Sequence, residues 1–212
     1  MKKSIICLVA ALCCCGAIWA QTTTDAQAKA IADKAVAQLQ RSPLKIDFSV
    51  NYAAGNTDKK NASNGVCAVS GKKSYLKFGG IETFFDGKTQ WIYMPENNEV
   101  AIAEPSAEEQ REANPLFMVR DYAQTHRVGF DEETADDAYL LCLYPTVAKK
   151  VNYFRIKLTI DKKTYRLRRI EFCQRNADHI IITIRSQQPL PKDFRFTFDP
   201  AQHPEVEVND LR

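Results

Sequence analysis

Asp86-Gly87-Lys88-Thr89-Gln90-Trp91-Ile92-Tyr93-Met94-Pro95 is the stretch that decides the fold. An Asp-Gly pair supports a tight turn, because Gly accepts the positive φ that such turns need. The residues after it alternate: Trp91 and Tyr93 fall on one side, Ile92 and Met94 on the other. That is the period of a β-strand, and the whole reads as the return arm of a hairpin. The same period runs through Leu44, Ile46, Phe48, Val50 and Tyr52, which alternate with Lys45, Asp47, Ser49 and Asn51. It returns at Phe154, Ile156, Leu158 and Ile160, at Ile180, Ile182 and Ile184, and at Phe194, Phe196 and Phe198.

Strands are expected at 44–52, 66–69, 74–78, 82–85, 90–94, 99–103, 138–144, 151–160, 166–174, 179–186 and 193–198. Gly79-Gly80 and Asn97-Asn98 mark connections between them. Two segments depart from period two. Residues 25–41 are rich in Ala and Lys, with Ile31, Ala35 and Leu39 on one helical face and Pro43 as the stop. Residues 105–124 read as helical, with Ser106 as N-cap and Glu109 three residues on, and Asn114-Pro115 opens a second short helix, Leu116 to Tyr122. The fold class is therefore mainly β with helices (α+β). About ten antiparallel strands at short spacing build a strongly curved sheet, a barrel or an open barrel, with an N-terminal helix and a helical insertion.

The N-terminus sets the compartment. Lys2 and Lys3 precede an uncharged apolar run from Ile5 to Trp19, and Gln21-Thr22-Thr23-Thr24 follows Ala20. Residues 1–20 are read as a cleaved signal peptide, since the run is short for a membrane span, and 21–212 as a single domain of an exported, soluble protein. Of 29 basic residues the leader takes Lys2 and Lys3, which leaves 27 against 26 acidic ones. Near-neutral charge argues against nucleic acid or an anionic membrane as an electrostatic partner. The leader also holds Cys7, Cys13, Cys14 and Cys15. Cys67, Cys142 and Cys173 remain, none in a C-x-x-C pair. Two readings of these stay open: a Cys142–Cys173 disulfide, both being in later strands of one sheet, or three buried free thiols.

Catalytic chemistry finds little support. His126, His179 and His203 share no ligand spacing, so no metal site and no cofactor are expected. G-x-S-x-G, H-E-x-x-H and phosphate-loop patterns are absent from the sequence. The pairs Glu108-Glu109, Glu132-Glu133 and Asp136-Asp137 read as solvated turns. Arg166, Arg168 and Arg169 read as a solvated strand face that could dock an acidic surface.

In order along the chain, the leader, the Ala-rich helix, the strand 44–52, the hairpin Asp86–Pro95, Asn114-Pro115-Leu116-Phe117-Met118, the strand 180–186 with Ser186-Gln187-Gln188, and Phe194-Arg195-Phe196-Thr197-Phe198-Asp199-Pro200 resemble the LolA family of periplasmic outer-membrane lipoprotein carriers. The resemblance implies an unclosed barrel with a helical lid over an apolar cavity for acyl chains, in a carrier and not an enzyme. Ligand contacts are then expected from Phe48, Val50, Trp91, Tyr93, Phe154 and Ile156 on the strands and from Leu116, Phe117 and Met118 on the lid. Implied partners are triacylated lipoproteins, an inner-membrane lipoprotein-releasing transporter and an outer-membrane acceptor, with the carrier a monomer in the periplasm. Where the family carries a lid-latching Arg, often followed by Pro, Gly71-Lys72-Lys73-Ser74-Tyr75-Leu76 offers Lys73 and no Pro. Lys cannot form the forked bonds of a guanidinium. The alternative function is a periplasmic LolA-like module that binds or senses another lipid or glycolipid.

Overall fold

The computed structural model describes residues 13–54, 57–58 and 62–212. Its hairpin at 81–94 joins β5 (Ile81–Phe85) to β6 (Gln90–Met94). The Asp86 carboxylate accepts from the backbone N–H groups of Lys88 (2.9 Å) and Thr89 (2.8 Å), and Gly87 takes φ +105°. The side chain thus supplies the turn's hydrogen bonds and Gly its backbone.

From that hairpin the sheet grows in both directions. The other strands are β1 (Leu44–Ala54), β2 (Thr57–Asp58), β3 (Ser63–Ser70), β4 (Lys73–Phe78), β7 (Glu99–Ala103), β8 (His126–Phe130), β9 (Ala138–Pro145), β10 (Tyr153–Asp161), β11 (Leu167–Gln174), β12 (Asp178–Pro189) and β13 (Glu207–Asp210). Their order is β13-β7-β6-β5-β4-β3-β1-β12-β11-β10-β9-β8, with β2 paired to β1 off this path. Among the described residues every pairing is antiparallel except that of β13 with β7. The sheet is curved and unclosed: β8 and β13 are its two edges. Register shifts at Asp47/Phe48 in β1, and at Tyr153/Arg155 and Thr159/Ile160 in β10, tighten the curl, as bulges do.

Among the described residues four α-helices complete the fold: α1 (Cys13–Gln40), α2 (Ala107–Ala113), α3 (Pro115–Arg120) and α4 (Tyr122–Thr125). The first twelve residues of the expected leader lie outside the described ones, and α1 runs without a break past residue 20. Its packing stripe begins later, at Ala28, Ala32, Ala35 and Leu39, all buried. Small side chains at helical spacing let α1 approach β8, β9 and α3 closely. Around this stripe lies the main core, in which Ile46, Leu141, Leu143, Ile156, Leu158, Ile160 and Ile170 are fully enclosed.

Two expectations change. Residues 193–198 form no strand. Flanked by Pro191 and Pro200, they cross the outer sheet face instead, where Phe194 meets Tyr75 (5.4 Å between ring centroids) and Phe198 meets Phe84 (6.0 Å) and Tyr93 (5.0 Å). Burial of aromatic rings outweighs a period-two pattern that has no strand to pair with. Cys142 and Cys173 are free and buried, as is Cys67. β10 lies between their strands, with Cys142 opposite Lys157 and Cys173 opposite Arg155. Two strand spacings are about 9.5 Å, beyond the reach of a disulfide, whose Cα atoms sit within about 7 Å.

Phe48 faces Gly65 across β1 and β3, its ring over the glycine. A Cβ at Gly65 would lie 2.3 Å from Phe48 Cζ, 2.7 Å from Cε2 and 3.0 Å from the Lys77 carbonyl oxygen. Gly65→Ala is expected to push the ring inward and cost about 1–3 kcal/mol of unfolding free energy. Urea denaturation reads this directly. Unchanged stability would mean that the ring does not depend on this contact.

Candidate functional site

The candidate site is the inner sheet face beneath the helical insertion. Its roof is fixed at each end by local chemistry. At the start of α2, the Ser106 hydroxyl accepts from the Glu109 N–H (3.3 Å), and the Ser106 N–H donates to the Glu109 carboxylate (2.7 Å), the expected capping box. Asn114 then caps α3, its Oδ1 accepting from the Leu116 N–H (3.0 Å), with Pro115 in the first turn. The same amide donates to Cys67 Sγ at 3.8 Å, so the lid's first residue is tied to the floor. Burial pushes the Cys67 thiol up to about 12, which keeps it neutral and unreactive.

Leu116, Phe117 and Val119 of α3 are buried in the main core, and Met118 is half-buried. Below the lid lies a cavity of about 30 Å³ lined by Ile46, Phe48, Cys67, Leu76, Leu116, Ile170, Ile182 and Ile184, together with Asn114 and Pro115. Phe48 and Leu116, predicted from sequence, meet here. Ile46, Leu76 and Ile170 belong with them and carry the same inward alternation, which was the signal available. Val50 and Ile156 face the same core without lining this space.

Register separates the remaining predicted contacts. Phe84, Trp91 and Ile102 stand opposite one another on β5, β6 and β7, whereas Leu76, Thr83, Ile92 and Ala101 form the adjacent row on the other face. Trp91 and Tyr93 therefore occupy the outer face, in a second cluster with Val100 and Phe198. The β6 residues of the inner face are Ile92 and Met94. With Ile81 (41% exposed) and Ala101 they extend the apolar surface of the cavity as a half-exposed strip. Phe154 is 44% exposed, because the bulge at Tyr153/Arg155 inverts the alternation there and turns Tyr153 inward.

Tyr153 links lid and barrel. Its hydroxyl donates to Met118 Sδ (3.6 Å) and contacts His126 Nε2 (3.0 Å), while Thr125 Oγ1 lies 2.8 Å from His126 Nδ1. His126 opens β8, a strand outside those expected from the sequence, and is only 6% exposed. Beside it an open cleft of about 180 Å³ runs between α2 and the 145–151 connection, lined by Glu108, Arg111, Glu112, Met118, Val147 and Tyr153 among others.

Lys73 lies exposed at the head of β4, and an arginine of the insertion makes the contact with the turn before it. Arg120, at the end of α3, stacks its guanidinium over Phe117 (4.0 Å to the centroid) and donates to the Gly71 carbonyl (3.3 Å). Two further bonds of 2.7 Å to Asp121 fix the guanidinium plane. The arginine therefore sits on the lid and reaches the β3–β4 turn. Arg120→Ala is expected to loosen α3 by about 1–2 kcal/mol, read as roughly tenfold faster exchange of its amides, and Lys73→Ala to leave them unchanged. An equal effect of both substitutions would return the latch to Lys73.

Residues 17–187 match the family described as outer membrane lipoprotein carrier protein LolA. The chain belongs to this family. A solved structure at low identity shares its fold. An uncharacterized conserved protein from Thermus thermophilus matches at TM-score 0.55 and 13% identity, over 87% of this chain and 99% of that one. A LolA superfamily protein from Nitrosomonas europaea matches at TM-score 0.45 and 15% identity, over 81% and 98% of the two chains. A putative outer membrane lipoprotein-sorting protein domain from Vibrio parahaemolyticus matches at 0.42 and 12%, over 85% and 97%. No curated protein matches the chain. Among the described residues no helix is long and apolar enough to cross a membrane.

Proposed function

We propose that this LolA-family protein is a periplasmic carrier that holds the acyl chains of lipoproteins and shuttles them from the inner to the outer membrane. In this reading residues 1–20 are a cleaved leader and the carrier is a monomer without catalysis or cofactor. Its cargo is triacylated lipoproteins, taken from an inner-membrane lipoprotein-releasing transporter and given to an outer-membrane acceptor. One observation carries the reading: a cavity with an apolar surface roofed by a small helix, on the sheet face that also carries Ile81, Ile92, Met94 and Ala101.

The closed cavity is too small for cargo. At about 30 Å³ it has room for one water-sized body, against roughly 300–1,000 Å³ for ordinary ligand pockets. Loading therefore requires α3 to lift, exposing Leu116, Phe117 and the isoleucines beneath it. Burying each methylene of a chain then recovers roughly 0.8 kcal/mol. Arg120 and the Tyr153–Met118 contact oppose lifting, which keeps affinity moderate and release feasible. Phe48, Val50, Leu116, Phe117, Met118 and Ile156 remain the proposed contacts, joined by Ile92 and Met94 in place of Trp91, Tyr93 and Phe154.

The test is a release assay. The purified chain is mixed with membranes carrying a triacylated lipoprotein and the releasing transporter, and the soluble fraction is resolved by size exclusion. A one-to-one soluble complex is the expected result. Bound lipid without lipoprotein would favour the second reading, a LolA-like carrier or sensor of another lipid or glycolipid, which the mixed polar and apolar lining of the 180 Å³ cleft favours. Neither bound lipoprotein nor bound lipid would overturn both.

A further inference from the structure

On the outer sheet face, away from the lid, three different metal-ligating groups converge. Cys173 of β11 and His179 of β12 are direct cross-strand partners, so their side chains project side by side. Glu171 stands two residues before Cys173 and therefore on the same face. The Glu171 carboxylate, the Cys173 sulfur and the His179 ring nitrogen all lie within 4.8 Å of one another, and His179 Nδ1 is 2.7 Å from Glu171 Oε1. Neighbouring strands bring together what the sequence separates. His126, His179 and His203 show no ligand spacing along the chain, yet a two-strand ladder needs none.

We propose that Glu171, Cys173 and His179 form a binding site for a borderline divalent transition ion of the Zn²⁺ class. Sulfur, imidazole and carboxylate are the donor types that zinc takes, and three protein ligands leave a fourth position for water. Hard ions such as Mg²⁺ and Ca²⁺ prefer all-oxygen sets, which this is not. Donors bound at about 2.0–2.3 Å settle roughly 3–4 Å apart around an ion. The existing spread thus closes by side-chain rotation, the ion entering between Nδ1 and Oε1 in place of their hydrogen bond.

The surroundings suit the ligands. Arg169 donates to the second oxygen of Glu171 (2.8 Å), which fixes the carboxylate's orientation from outside. Burial raises the Cys173 pKa, and the Arg155 side chain bonded to it offsets part of that rise. As the metal–sulfur bond forms, the S–H bond breaks and the proton leaves to solvent, with no change of oxidation state. Glu171 and Arg169 also line an open polar groove of about 360 Å³ with Lys157 and Asp131, which exposes the Glu171 side of the site. Two nearby guanidinium charges oppose a cation and hold the affinity below that of an all-cysteine site. A bound ion would clip β11 to β12, and the carrier reading above neither requires nor excludes it.

The probe is Co²⁺, whose thiolate complexes absorb by charge transfer and whose visible bands report a four-coordinate geometry. Titrating the purified chain after removal of the leader 1–20 and its four cysteines, with the remaining thiols kept reduced, should give both signals, saturating at one equivalent and reversed by Zn²⁺. Cys173→Ser should abolish the charge-transfer band. Cys67→Ser and Cys142→Ser should keep it. His179→Gln, at a half-exposed position that leaves the core untouched, should weaken Co²⁺ at least tenfold, and Zn²⁺ should raise the melting temperature of the unaltered chain but not of this variant. Absence of a charge-transfer band in the unaltered chain would overturn the site. So would a band that survives Cys173→Ser, or an affinity unmoved by His179→Gln.

Discussion

Phe117→Ala is expected to open the lid without unfolding the barrel. Phe117 is 2% exposed, and removing a ring so enclosed costs about 3–5 kcal/mol where the site cannot collapse. Where that cost appears depends on how much of the protein needs α3. The barrel has its own core of Leu141, Ile156, Leu158, Ile160 and Ile170, packed with the α1 stripe. α3 is six residues long, set between caps, and too short to hold its conformation alone. The lid should therefore undock before the sheet melts. Exchange of the Met118 and Asp121 amides, bonded to the Asn114 and Phe117 carbonyls, should accelerate by about a hundredfold, while β1 and β10 keep their protection. A larger share of molecules should be open to acyl chains, which raises apparent affinity, against the loss of the contact Phe117 itself would make. Parallel loss of protection in α3 and β10 would show instead that α3 is part of one cooperative core and not a lid.

The same residue shows what the sequence could and could not convey. Alternation located β6 at Gln90–Met94 and β7 at Glu99–Ala103 to the residue, and the capping box and Asn-Pro start located α2 and α3. These are local signals: a turn residue, a cap, a period. Which face is inner is not local. Trp91 and Tyr93 looked like cavity walls because they are large and aligned, but the outer face is closed by Phe198 and the segment around it, more than a hundred positions away. A period-two pattern contains both faces equally and names neither. Phe154 failed differently: one extra residue in the ladder turned Tyr153 in and Phe154 out, and such a shift leaves no mark in hydrophobicity. β8 was missed because Arg127 and Gly129 dilute a five-residue edge strand. Arg120 was not singled out because a contact between insertion and turn can be made from either partner, and only the three-dimensional arrangement tells which carries the guanidinium.

Acid should weaken the joint between lid and barrel through His126. Burial holds its imidazole pKa down at about 4, against an ordinary value of 6.5. The bonds around it fix one tautomer. Tyr153 gives its single proton to Met118, so His126 Nε2 must donate to the Tyr153 oxygen, and Nδ1 must accept from Thr125. The folded chain therefore keeps the ring neutral, whereas the unfolded chain protonates it below about pH 6.5. Stability from this residue is complete above that value and falls as pH drops from about 6.5 to about 4. Below that the folded form also takes up the proton, and the loss stops growing. The interval corresponds to at most about 3 kcal/mol, less what the neighbouring Glu112 and Glu108 of the cleft return by attracting the charged ring. Carboxylates such as Glu171 and Asp131, held below their usual range by Lys, Arg and His neighbours, lose their own contribution in acid, so the His126 share is read as a difference. Urea midpoints of the natural chain and of His126→Gln, taken between pH 7 and pH 4.5, should converge as pH falls, because the natural chain loses stability faster. Parallel pH curves would mean that His126 is charged or solvated in the folded protein, and the Tyr153–Met118 tie would then need another anchor.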